Sequence, residues 1–299
     1  MIHMDEILKS SVLPFVYPLV VVGLILASIE RWRFVSFSPS VILLFGGYFS
    51  GYMALPSILA LGLLMLLVAL YVADRRVIWL LAGDRRAWLL YGAIMPLSLL
   101  IAFRVFPGVD NPLLYDGVQL GNVTETFSIY LSLDKAVLAL LLWSVIASRA
   151  SPTTGNWLHT LWLFPIALMT VFSLGVLFDY VKLDLKWPAW QLLITWSLGN
   201  LLVTCVVEEA FFRGILQRGI SVKWQERFQY GAIAALLFVS ILFGLVHFDG
   251  GWSLVIMASV AGVFYGMAYW LTGRLWVAVT LHFCVNVVHL VFFSYPSLL

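Results

Sequence analysis

Apolar runs of bilayer length recur along almost the whole chain, and they constrain its fold more than any other feature of the sequence. A transmembrane helix needs about 20 predominantly apolar residues. The ten runs that reach or approach this length are Ser11–Ile29, Ser40–Ala54, Pro56–Ala73, Ala87–Phe106, Phe127–Ala147, Trp157–Phe178, Pro188–Phe212, Phe228–Phe248, Trp252–Thr272 and Leu275–Tyr295. The pattern predicts an all-α fold, a polytopic transmembrane helical bundle of about ten membrane helices.

Composition and charge narrow the class of protein further. Of the 299 residues, 63% are hydrophobic and only 11% are charged, whereas soluble domains are about 25% charged. The lipid bilayer is therefore the expected environment. The net charge of +2 gives no reason to expect a polyanionic partner such as nucleic acid. Cys205 and Cys284 both lie in apolar runs, so we expect no disulfide framework.

The polar segment Ser151–Asn156 divides a first half poor in motifs from a second half rich in them. We interpret residues 1–150 as N-terminal transmembrane helices of unknown role. Residues 151–299 are expected to carry the functional site, because ionisable residues within membrane helices are costly and are usually functional.

The first motif of the second half is Glu208-Glu209-x-x-x-Arg213. On a regular α-helix, positions four apart share a face. Glu209 is therefore expected to neutralise Arg213, while Glu208, five positions before the arginine, points elsewhere and is a candidate general base. A charge cluster that holds neighbouring helices together is the competing interpretation.

Two further motifs follow on later helices. Phe243-x-x-x-His247 ends one apolar run, and His282-x-x-x-Asn286 lies inside the last. His282 and Asn286 share a helix face, and two stacked hydrogen-bond donors can stabilise an oxyanion. Each motif alone is equally consistent with polar contacts between membrane helices. Together they supply a base, an imidazole that orients water and an oxyanion pair, which are the groups needed for attack of water on an amide.

These three motifs, in this order, resemble the EExxxR, FxxxH and HxxxN/B motifs of the CAAX-processing and bacteriocin-processing (CPBP, or Abi) family of intramembrane endopeptidases, which includes the prenyl-protein CAAX endopeptidase. The resemblance covers about Trp157–Tyr295, so it implies a CPBP-like protease domain in residues 151–299. It implies that Glu208 and His247 activate a water molecule and that His282 and Asn286 stabilise the tetrahedral oxyanion. Glu209 and Arg213 would support the geometry of the site.

The resemblance also implies the setting of the reaction. The expected substrate is a peptide or a lipidated protein, and the expected location is the cell (plasma) membrane of a prokaryote, with a multi-pass topology. A glutamate-type mechanism needs no cofactor, and none is predicted.

Alternatives of other classes stay open at this point. A zinc-dependent intramembrane protease, with metalloendopeptidase activity, could use Glu208, His247 and His282 as ligands, although the sequence has no HExxH motif. A non-catalytic membrane immunity or scaffold protein is a second alternative, and a transporter that uses Glu208 and Arg213 as a gate is a third.

Overall fold

The computed structural model describes residues 13–73, 85–119, 126–147 and 157–294, and helices dominate this part of the chain. In its first half the helices are α1 (Leu13–Ser28), α2 (Phe37–Phe49), α3 (Leu55–Ala73), α4 (Arg85–Ala102) and α5 (Leu133–Ala147). In its second half they are α6 (Leu163–Leu177), α7 (Trp190–Gly199), α8 (Val206–Glu209), α9 (Arg218–Gln225), α10 (Gly231–Leu245), α11 (Gly251–Thr272) and α12 (Leu275–Phe292). The predicted all-α class is confirmed.

Each of the ten predicted runs contains a helix, but the number of membrane spans is not confirmed. Among the described residues, five helices are long and apolar enough to cross a membrane, and a sixth span arises if the pair α1 and α2, bent by 120°, counts as one. Helix α10 shows why the count falls. Its 15 residues rise about 22 Å, which is less than the roughly 30 Å of a bilayer core.

Four short strands accompany the helices. They form two two-stranded sheets, one of β1 (Leu113–Val118) with β2 (Phe127–Tyr130) and one of β3 (Lys182–Leu183) with β4 (Phe293–Ser294). Strand β2 corrects the predicted run Phe127–Ala147, whose first residues are not helical. The helical part begins only at Leu133, whose amide donates to Asn111 Oδ1 at 2.9 Å. This side-chain cap satisfies an N–H that has no partner within the helix.

The chain divides into two compact units. The first comprises Met1–Asp116, Ser128–Ser151 and Leu202–Ala210, and the second comprises Gly117–Phe127, Pro152–Leu201 and Phe211–Leu299.

Helix α5 is the core of the first unit. Twelve of its 15 residues are buried, and it contacts α1, α2, α3 and α4. At Gly23 of α1 a β-carbon would lie 2.5 Å from Leu140 of α5, so the two helices approach closely. At its start, the buried Asp134 accepts a hydrogen bond from Arg104 Nε at 3.1 Å.

In the second unit, α10 and α11 form the most extensive helix pair. A β-carbon at Gly244 of α10 would lie 1.9 Å from Ser259 Oγ, and one at Gly266 of α11 would lie 2.9 Å from Leu236. Small residues at helix interfaces let membrane helices approach closely and gain dispersion contacts. This packing holds the end of α10 against α11, where the candidate site lies.

One continuous helical span runs from Trp190 to Gln225, and it is not a regular α-helix. Segments Asn200–Cys205 and Ala210–Gln217 are π-helical and flank the short α8. A π-helix joins residues five apart by backbone hydrogen bonds. The premise of a regular α-helix after Glu209 is therefore wrong, and sequence spacing no longer distinguishes the two glutamates with respect to Arg213.

Candidate active site

A cavity of about 190 Å³ lies within the second unit. Four polar residues on its wall come from the last helices or their ends: His247, His282, Asn286 and His289. The rest of the wall is predominantly apolar. It comprises Val171, Phe172, Tyr180, Val181, Phe243, Leu254, Met257, Ala258, Ala261, Tyr265 and Val285. Three of the side chains predicted from the sequence, His247, His282 and Asn286, therefore line the same cavity. They come from two motifs that are far apart in the sequence.

His247 lies two residues after Leu245, the last residue of α10. Its Nδ1 lies 2.7 Å from the carbonyl oxygen of Phe243, four residues earlier. A carbonyl oxygen can only accept, so Nδ1 carries the proton and donates it. In the neutral imidazole Nε2 is then the acceptor. The spacing of the Phe-x-x-x-His motif thus selects one tautomer of this histidine.

The ring of His282 packs against two aromatic rings. It stacks on Tyr265 of α11 with ring centroids 4.7 Å apart and 14° between the planes. It meets Phe243 edge-on, with centroids 5.8 Å apart. The side chain is only 4% exposed. Packing against both rings restricts rotation of the imidazole and therefore orients its nitrogen atoms within the cavity wall.

Asn286 lies one helical turn after His282 and has a partner on another helix. Its Nδ2 donates to Asn200 Oδ1 at 3.1 Å. Asn200 is the first residue of the first π-helical segment of the span Trp190–Gln225. This contact was not predicted, since a single asparagine inside an apolar run forms no motif.

Arg213 is fully buried, and its guanidinium lies over the ring of Phe243 at 5.2 Å from the centroid. A cation over an aromatic face is attracted to the negative potential of the ring. A β-carbon at Gly262 of α11 would lie 3.3 Å from the arginine Nη2, so this glycine leaves room for the group. Phe243 therefore lies next to the arginine and both histidines.

The two glutamates belong to the segment Leu202–Ala210 of the first unit. Glu209 is fully buried, whereas Glu208 is half-buried with its Oε2 shielded from solvent. A buried carboxylate is costly unless it is compensated. The predicted roles of both residues remain predictions.

Tyr180 is a polar group of the cavity wall that the sequence motifs did not indicate. It lies between the spans Trp157–Leu177 and Trp190–Gln225. Burial raises the pKa of its phenol, so the hydroxyl stays protonated at neutral pH and can donate a hydrogen bond.

Within the part of the chain that the structure describes, no group of three His, Cys, Asp or Glu side chains could hold a metal ion. The alternative of zinc bound by Glu208, His247 and His282 stays open. It is addressed below by experiment.

The fold and the cavity define an integral membrane protein of the all-α class with a polar site walled by apolar side chains. Residues 188–288 match the family described as type II CAAX prenyl endopeptidase Rce1-like. The match contains all three motifs and confirms the resemblance to the CAAX-processing proteases in this segment. Neither the curated proteins nor the solved structures include a match to the chain.

Proposed function

We propose that this chain is an intramembrane endopeptidase of the glutamate type. Glu208 and His247 activate a water molecule, and His282 and Asn286 stabilise the oxyanion formed when that water attacks a peptide carbonyl. The observation that carries the proposal is the meeting of His247, His282 and Asn286 in one largely apolar cavity, within a segment similar to a family of proteases.

The tautomer of His247 supports its role toward water. With Nδ1 donating to the Phe243 carbonyl, Nε2 accepts a hydrogen bond from water and draws electron density onto its oxygen. A carboxylate can accept the proton of that water as general base while the imidazole orients the water. Glu208 is that carboxylate in the proposal, and the buried Glu209 and Arg213 support the geometry of the site.

The oxyanion role follows from the donors available. His282 and Asn286 are one turn apart on α12 and both line the cavity. Donors that are already oriented stabilise charge as it develops, and they do so best where water is excluded. The stacking of His282 on Tyr265 and the hydrogen bond from Asn286 to Asn200 provide such orientation.

The substrate class comes from the family and from the cavity wall. The family description names a prenyl endopeptidase acting on CAAX sequences, and the wall offers apolar side chains such as Leu254 and Met257. We propose a peptide that carries a prenyl group or comparable apolar side chains near the scissile bond, cleaved in the plasma membrane of a prokaryote.

The test is cleavage of prenylated and unprenylated CAAX peptides, together with a peptide library, by the purified full chain in detergent. The wild type should release a defined product and Glu208→Gln should not. Glu226→Gln is the matched control, because Glu226 is an exposed partner of Lys223 at 3.6 Å. Equal cleavage by the wild type and Glu208→Gln would reject the proposal.

A further inference from the structure

Asn200 is a polar side chain on another helix that is hydrogen-bonded to Asn286, a member of the predicted oxyanion pair. Its Oδ1 accepts the hydrogen bond from Asn286 Nδ2 at 3.1 Å, across 86 residues of sequence. Both asparagines belong to the second unit and both fall within the segment 188–288 that matches the protease family.

We propose that Asn200 is a positioning residue that orients the Asn286 amide for stabilisation of the oxyanion. This inference rests on the proposed function. The oxygen and nitrogen of a primary amide are nearly the same size, but only the nitrogen can donate. An amide turned by 180° would present its oxygen where the oxyanion forms, and the two would repel each other.

An accepting oxygen opposite the amide favours one of the two orientations. Asn200 presents Oδ1 to Asn286 Nδ2, and with Asn200 in this orientation an Asn286 amide turned by 180° would place two oxygens against each other. The amide nitrogen carries two protons. The proton given to Asn200 fixes the plane of the group, and the plane decides where the second proton points.

The competing interpretation is that this hydrogen bond only holds two membrane helices together. The second unit contains a comparable bond, from Gln217 Nε2 to the carbonyl oxygen of Gly266 at 3.0 Å. Gln217 is 3% exposed and is not part of the cavity wall. If helix attachment were the whole role of Asn200, loss of either bond would have a similar effect.

The first experiment compares kcat and KM of three variants of the full chain. Asn200→Ala should lower kcat about ten- to hundredfold with little change in KM, because a misplaced group loses its contribution to the transition state. Asn200→Asp should restore most of the rate, since its side chain keeps an accepting oxygen. Gln217→Met, with similar volume, should leave kcat unchanged. A folded Asn200→Asp protein without activity overturns the inference, even if Asn200→Ala does not accumulate.

The second experiment is a double-mutant cycle. If Asn200 acts through Asn286, the protein carrying Asn200→Ala and Asn286→Ala should be no slower than Asn286→Ala alone. If Asn286→Ala slows the reaction and Asn200→Ala slows it further by its full factor, only the role of Asn200 is rejected. If Asn286→Ala leaves the rate unchanged, the oxyanion site of the proposed function is rejected as well.

Discussion

The Nδ1 atom of His247 lies 2.7 Å from the carbonyl oxygen of Phe243 at the end of α10, and this contact leaves Nε2 as the acceptor of the ring. The amide of glutamine can reach the position of Nε2, whereas that of asparagine reaches only the position of Nδ1. We expect His247→Ala to lose about 10²–10⁴-fold in rate. His247→Gln should retain more activity than His247→Asn in a cleavage assay. The opposite order would mean that Nδ1 faces the water.

The two glutamates should differ in what their loss affects. Glu208→Gln should abolish turnover while the yield of folded protein stays near that of the wild type, because the chemistry needs a base. Glu209→Gln should lower stability by roughly 3–5 kcal/mol, because Glu209 is the counter-charge that the motif predicts for the fully buried Arg213. Thermal unfolding in detergent and a cleavage assay measure the two effects. A stable Glu209→Gln protein would argue against the predicted pairing with Arg213.

The glutamate and zinc mechanisms make different predictions for Asn286. Asn286→Ala should lower the rate about 10²–10³-fold in the glutamate mechanism, as loss of one oxyanion donor does elsewhere. Asparagine is a poor zinc ligand, so the zinc mechanism requires no such effect.

Metal analysis completes this comparison. We expect activity to survive prolonged exposure to EDTA or phenanthroline. Stoichiometric zinc that is lost in His247→Ala and His282→Ala, with activity restored when zinc is added to stripped enzyme, would establish the metal mechanism instead.

Lys186 should make stability depend on pH. Its side chain is buried next to β4, and its ammonium donates to the carbonyl oxygen of Phe293. Burial lowers the pKa of Lys186, and the nearby Asp184 opposes this effect in part. Between the lowered pKa of the folded state and the ordinary value near 10.4, the unfolded state binds more protons, so stability rises with pH.

The comparison variant for this effect is Lys186→Met. The difference in unfolding temperature, wild type minus variant, should become more positive from pH 8 to about 10.5. Other titrating groups are common to both proteins and cancel in the difference. A constant difference over this range would show that the ammonium is not destabilised by burial.

Long apolar runs made the helices predictable, because a segment such as Leu275–Phe292 has few alternatives in a bilayer. The sequence also identified His247, His282 and Asn286, which the structure brings to one cavity. The helix count could not be predicted as well, since hydropathy does not distinguish a crossing helix from a shorter one such as α10.

Three other features of the site could not be predicted from the sequence. Asn200 is the only asparagine in its apolar run and forms no motif there, and its partner lies 86 residues away. Tyr265 is one of many aromatic residues in α11, and only its stacking on His282 distinguishes it. The π-helical segments depend on which backbone groups are bonded, and no residue type specifies that choice.

The π-helical segment Ala210–Gln217 has a practical consequence for protein engineering. Deletion of one residue there would allow a regular α-helix to form, in which the flanking residues roughly keep their register while the side chains within the segment change direction. Single-residue deletions in this segment should therefore be harmful even where each substitution is tolerated. Anyone who grafts this site onto a designed scaffold must transfer the irregular backbone at its full length, because the short glutamate motif placed on an ideal helix would present its residues in different directions.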